Sequence, residues 1–173
     1  MQMIKKILIV ILATILSIII FAPKDRLYFM LEEQLKAQNG VVISNEKLNS
    51  GMFGLEITKG DISINDIELI RFDLIDISSF IASSTIKIDN IKLDKSISSM
   101  LPISELNASI SHNIISPMEI TIDISSGNIT QNATLKVVED GLIQIRIDDI
   151  NSTQWLKAFM QKDENGWYYE TNI

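Results

Sequence analysis

The 173-residue chain contains no cysteine. That excludes a disulfide framework, a lipid-modified cysteine and thiolate metal sites, and it leaves an oxidising compartment open to a domain of this size. There is a single histidine, His112, in the stretch ISHNII, and a lone histidine at a strand end is a solvated side chain far more often than a ligand or a base. Basic residues are in deficit, 15 Lys and Arg against 22 Asp and Glu for a net charge of −7. No nucleic-acid partner is expected, since phosphate binding needs a basic surface. Phosphate loops are missing too: Gly51, Gly54 and Gly60 follow neither a GxGxxG nor a GxxxxGK pattern and read as backbone punctuation. Asp123, Asp148 and Asp149 fall on strand-like segments without a D-x-D-x-D-G loop, so they read as water-facing carboxylates. No catalytic residue, metal or cofactor is expected, and the chain does not read as an enzyme. Aromatic residues are scarce; the one dense group, Trp155, Phe159, Trp167, Tyr168 and Tyr169, is expected to pack at an end of the fold.

What is abundant is isoleucine, 34 residues of it, a β-branched type that suits pleated, half-buried surfaces better than helices. Part of it lies in the uncharged run ILIVILATILSIIIFA, Ile7 to Ala22, preceded by Lys5 and Lys6 and followed by Pro23, Lys24, Asp25 and Arg26. This run predicts a membrane anchor carried by Ile7, Leu8, Ile9, Val10, Ile11, Leu12, Ile15, Leu16, Ile18, Ile19, Ile20 and Phe21. Its 16 residues fall below the roughly 20 of a comfortable span, but Met1 to Ile4 and Pro23 extend the apolar stretch. Cleavage after Ala22 would place Ile20 at −3 and Pro23 just beyond the cut, both unfavourable, so an uncleaved anchor is expected. Lys5 and Lys6 keep the N-terminus on the cytoplasmic side, with residues 24–173 outside as one β domain.

RLYFMLEEQLKAQNG then repeats Leu27, Leu31 and Leu35 every four residues and ends on Asn39-Gly40, which predicts an amphipathic helix over Arg26–Gln38. Glu32 and Glu33 on its polar face argue against a membrane-surface helix and for a cap on a sheet. From Val41 on, the period is two. Strands are predicted at VVIS, FGLEIT, DISI, Ile67 to Ile77, Thr85–Leu93, Glu105–Ser111, Met118–Ser125, Asn132–Glu139 and Leu142–Asp149, with turns at Lys59-Gly60, Asn65-Asp66, Ser126-Gly127-Asn128 and Asp140-Gly141. The apolar phase slips at Leu69-Ile70 and at Leu74-Ile75, where a bulge or bend is required to keep later side chains on the same face. Ser152–Gln161 has a helical pattern and WYYE reads as a last strand. Such short connections predict a mainly β fold, a curved antiparallel meander with one or two short capping helices.

In this meander Ile62, Ile64, Ile67, Leu69, Ile86, Ile88, Ile120, Ile122, Ile124, Ile143, Ile145 and Ile147 are expected to share one apolar face. With two amphipathic segments available as lids, closure of that face by helices is expected; an open face would be a groove for a lipid or an apolar partner segment. The order of parts, a span ending in AP, the helix RLYFMLEEQLKAQNG, then GMFGLEITKGDISIND, IELIRFDLIDISSF and STIKIDNIKL, resembles the type II secretion system protein N family and, more loosely, the AsmA-like envelope proteins. The resemblance implies a bitopic inner-membrane protein with a curved periplasmic β-sheet, acting without catalysis as an accessory component of a secretion apparatus. Its partners would be the bilayer and other inner-membrane or periplasmic secretion proteins. The AsmA-like side implies instead an apolar groove in contact with lipid.

Overall fold

The computed structural model describes residues 23–80, 82–99, 105–138, 141–147, 150 and 156–172, with Ile7, Val10, Ile11, Thr14 and Ser17 before them. Those five positions are helical and exposed, and the Thr14 hydroxyl donates to the Val10 carbonyl at 2.8 Å. The rest of the expected anchor, Leu8, Ile9, Leu12, Ile15, Leu16, Ile18, Ile19, Ile20 and Phe21, lies outside the described residues. Among the described residues no helix is long and apolar enough to cross a membrane.

The fold is mainly β: one 11-stranded antiparallel sheet with helix α1 (Lys24–Asn39) at one end and a four-residue turn of helix, α2 (Lys95–Ser98), between strands. The strands are β1 (Val41–Ser44), β2 (Lys47–Ser50), β3 (Gly54–Ile64), β4 (Ile67–Phe80), β5 (Ser83–Leu93), β6 (Glu105–Asn113), β7 (Glu119–Ser126), β8 (Ile129–Val137), β9 (Leu142–Ile147), β10 (Gln161–Asp163) and β11 (Gly166–Asn172). They pair in the order β1-β3-β4-β5-β6-β7-β8-β9-β11-β10, and β2 pairs with β3 beside β1. The chain thus walks across the sheet strand by strand, reversing only at the last hairpin.

Asn65 and Asp66 both take positive φ, 51° and 65°, the conformation that lets a two-residue loop join twisted strands, so β3 and β4 form a tight hairpin. Lys59-Gly60, expected as a turn, is not one: β3 continues through it. Lys59 has φ 56°, and the inward positions shift there from Leu55 and Ile57 to Gly60 and Ile62. The same shift occurs in β4, from Ile77 and Ile75 to Phe72 and Ile70, and in β5, from Ile86 and Ile88 to Ile91. Thr58, Leu74 and Asp89 are cross-strand neighbours, so the three shifts line up as one crease. Asn90, with φ 56°, donates its side-chain amide to the Asp73 carboxylate and its backbone N–H to Asn107 Oδ1 at 2.7 Å. Toward β6 the shift is absorbed by a bulge on β5 between Ile88 and Ile91, which face Ala108 and Leu106. The slip at Leu74-Ile75 is this crease. The slip at Leu69-Ile70 is a bulge, Ile62 facing Ile70 while Ser63 faces Glu68.

Helix α1 ends where Gly40 adopts φ 66° and donates to the Lys36 carbonyl at 3.1 Å, as a left-handed cap requires. Its buried face differs from the expected leucine stripe. Tyr28, 7% exposed, enters the core with Leu55, Ile57 and Phe72, whereas Leu27 and Leu31 remain exposed. The Tyr28 ring reaches farther than a leucine, so docking the helix on it leaves the flanking leucines beside the contact. Its hydroxyl is enclosed with no hydrogen bond of good geometry, and burial, followed by repulsion from Glu46 and Glu32 and a weak side-chain contact with Glu46, pushes its ionisation far above the usual tyrosine range. Burial and Glu46 also raise Glu32.

A buried unpaired hydroxyl costs about 1–3 kcal/mol, so Tyr28→Phe is expected to raise stability by about 1 kcal/mol in urea unfolding at neutral pH. The raised value has a definite sign: the folded state holds the proton more tightly, so the wild type keeps full stability below about pH 10 and loses it as pH climbs further. Tyr28→Phe should abolish that part of the alkaline loss.

The far end of the sheet also departs from expectation. Ser152–Trp155 of the predicted helix lie outside the described residues; Leu156–Ala158 form one 3-10 turn and Gln161 already belongs to β10. β10 is held by Arg146, whose guanidinium pairs with both Asp163 oxygens at 3.0 and 2.6 Å and keeps that carboxyl below its ordinary range. The aromatic group is dispersed. Trp167 pairs with Ile147 and carries Lys157 and Lys162 over its ring; Tyr168 lies on the opposite face against Arg146; Phe159 and Tyr169 are exposed. Trp155 lies outside the described residues.

Candidate functional site

The pairing register places most of the expected apolar residues. One row runs Leu55, Ile77, Ile86, Ile110, Ile122, Ala133, Ile147, Trp167 across β3 to β11. Beside it run Ile57, Ile75, Ile88, Ala108, Ile124, Gln131 on one side and His112, Ile120, Leu135, Ile145, Tyr169 on the other, with Ile143 opposite Val137. The alternate rows are polar, as in Asp76, Lys87, Ser109, Asp123 and Asn132. The sheet therefore has one aliphatic and one wet face.

Four of the expected residues are placed otherwise. Ile62 joins the aliphatic face only because the crease shifts its phase, packing against the Tyr28 cluster. Ile64 and Ile67 face each other at the exposed tip of the β3–β4 hairpin. Leu69 is the extra residue of the bulge and lines a shallow polar depression with Glu68, Arg71 and Lys92. These departures follow from the bulge and crease that interrupt the period of two.

Closure by helices is only local. α1 packs on β1, β2 and β3, where Ile57 is 2% and Phe72 1% exposed. Across β5 to β8 most aliphatic side chains stay half-buried, apart from buried Ile91 and exposed Val137, and among the described residues no helix packs over them. Burial becomes complete again at Ile147 and Ile150. Among the described residues the aliphatic face is thus covered by a helix at one end, buried again at Gln131 and Ile147, and mostly half-buried between.

Where α1 leaves the sheet there is a cleft of about 260 Å³, roofed by Leu27, Tyr28 and Leu31, floored by Leu55 and Ile77, and bounded by Phe53, Gly54 and Ser79. It is almost wholly apolar. Leu55 and Ile77 open the long aliphatic row, so the cleft continues into that half-buried stretch. The exposed Leu27 and Leu31, expected as core, are its roof. Small-molecule pockets span about 300–1,000 Å³, so the cleft alone would take part of a ligand and the rest would lie along the sheet.

The residues that could carry polar chemistry are scattered. His112 contacts the Pro117 carbonyl at 3.3 Å, Asp123 lies on the wet face, and Asp148 and Asp149 lie outside the described residues. Among the described residues no group of His, Asp or Glu is placed to hold a metal ion. Asn107, one of four N-x-S/T asparagines, uses its side chain in the crease.

Fold and cleft together define a class: a one-sheet antiparallel meander with a partly open aliphatic face and a helix roofing one end. No protein-family model matches the chain, and no curated protein or solved structure matches it either.

Proposed function

We infer that this protein is a non-catalytic, membrane-anchored binding module whose β domain lies outside the cytoplasm and takes an acyl chain along its aliphatic face. The observation that carries the reading is the continuity of the α1 cleft with the half-buried row Ile77, Ile86, Ile110, Ile122. A row of aliphatic side chains that stays incompletely buried beside an apolar cleft supports a binding face, since contiguous apolar surface in reach of solvent marks interaction sites. The uncharged run Ile7 to Ala22 supports the anchor, and Lys5 and Lys6 support a cytoplasmic N-terminus at an inner membrane. The only polar side chains lining the cleft are Lys24, Tyr28 and Ser79, with no carboxylate or imidazole beside them, which supports binding without chemistry.

The resemblance to the type II secretion protein N family supports a second use of the same face, docking an apolar segment of another inner-membrane or periplasmic secretion protein. Native mass spectrometry of the full-length protein purified from membranes in mild detergent separates the two. Stoichiometric bound lipid is the expected result. A lipid-free, folded chain that co-purifies with secretion components would overturn the lipid reading in favour of the scaffold.

A further inference from the structure

The two ends of the strands differ in chemistry. Three turns at one end are polar, with exposed Asn65-Asp66, Gly127-Asn128 and Glu164-Asn165, while the sequence of the β5–β6 connection at that end mixes Asp94 and Lys95 with the apolar Met100-Leu101-Pro102-Ile103. At the other end, the β4–β5 and β6–β7 loops, FIAS and NIISPM, contain no charged residue. Phe80, Ile114, Ile115 and Met118 stand out from them, Ile115 being 84% exposed. These loops form one continuous rim: the Ile114 N–H donates to the Ala82 carbonyl at 3.0 Å, and the Val137 N–H donates to the Met118 carbonyl at 3.0 Å. The next loop carries exposed Val138 but continues into Glu139 and Asp140, so the apolar rim centres on the first two.

The first turn of α1 lies at this same end. Asp25 accepts a hydrogen bond from Ser50 at the end of β2, and Lys24 and Leu27 border the cleft with Phe53 and Ser79. Phe53 stacks edge-on against Phe80 of the rim at 5.5 Å, so the cleft mouth and the rim adjoin. Pro23, which caps α1, follows directly on the uncharged run that ends at Ala22. One peptide bond therefore separates the expected anchor from the end of the sheet with the apolar loops.

We propose that this rim is a second membrane contact: the Phe80 and Ile114–Met118 loops dip into the phospholipid bilayer surface beside the anchor, standing the sheet end-on with the cleft mouth at the lipid. The proposal rests on the anchored reading above. The occupant is a bilayer, not a protein, because the anchor's exit point and the uncharged, exposed loops share one end while three exposed polar turns lie at the other. Apolar loop tips gain from entering the acyl boundary, while Asn65, Asp66 and Glu164 would lose hydration there.

The absence of cysteine makes the test clean. Single cysteines at Ile11, Ile115 and Asn65 in the full chain, each carrying an environment-sensitive fluorophore, are compared in phosphatidylcholine vesicles with and without doxyl-labelled phosphatidylcholine. Ile115→Cys should be quenched by the doxyl lipid comparably to Ile11→Cys, and Asn65→Cys should not. Quenching at Ile11 without quenching at Ile115 would overturn the rim and leave the anchor standing. No quenching at Ile11 would remove the anchored reading and the rim with it. Equal quenching at Ile115 and Asn65 would mean that the sheet lies flat, which also overturns the proposal. Blue-shifted emission at Ile115 without doxyl quenching would assign the rim to a protein partner or a second copy.

Discussion

Phe72→Ala should lower the unfolding free energy by about 3–5 kcal/mol, the range for emptying a fully buried aromatic site. Phe72 is 1% exposed and packs with Tyr28, Leu55 and Ile57, where α1, β3 and β4 meet. Its ring lies over Gly60, so close that a Cβ at Gly60 would run into ring atoms Cζ and Cε1. Gly60→Ala should therefore destabilise on its own, by about 1–3 kcal/mol for overpacking. The double variant Gly60→Ala/Phe72→Ala should cost less than the two single losses combined, because the added methyl enters the space the ring vacates. Urea unfolding followed by circular dichroism reads all three variants; strictly additive losses would show that the ring and the glycine are not coupled.

Ile57→Asp and Ile122→Asp should differ sharply although both add one carboxylate to the same face. Ile57 is 2% exposed beneath α1, where an unpaired charge costs several kcal/mol, and the domain should unfold. Ile122 lies mid-sheet between Ile110 and Ala133 and is half-buried with water in reach. Its aspartate can stay hydrated, so the domain should keep its strand spectrum while its bound lipid falls to a small fraction of wild type, since the ligand loses its apolar contact. Circular dichroism and lipid content of the same preparations check the contrast. Unfolding of Ile122→Asp as complete as that of Ile57→Asp would make the aliphatic face an ordinary closed core.

The period of two carried most of the sheet's architecture. The Asn65-Asp66 hairpin, the last strand and the bends at Leu69-Ile70 and Leu74-Ile75 were legible because a slipped phase has to be absorbed somewhere. The partner of the second bend was misread: Lys59-Gly60 resembles a turn, yet a positive φ and a missing Cβ can equally serve a crease that admits a phenylalanine ring. KLNS in β2 has no alternation to read, since it is a short edge strand with only Leu48 turned inward. The cleft was hidden by the leucine period of α1, which marks an apolar face without saying that Tyr28 would take the core contact and leave Leu27 and Leu31 outside. The rim had a signal that went unused: FIAS and NIISPM are loops in which apolar residues replace the usual polar ones.

The central claim is that an acyl chain lies on the aliphatic face, and photo-crosslinking maps it most directly. The full-length protein is loaded with a phospholipid bearing a diazirine on its acyl chain, illuminated and digested, and the modified residues are read by mass spectrometry. Adducts are expected at Leu31 and Phe53 in the cleft and along Ile86, Ile110 and Ile122, with the opposite-face row Lys87, Ser109 and Asp123 unmodified. Adducts spread equally over both faces, or none beyond the N-terminal run, would contradict that claim.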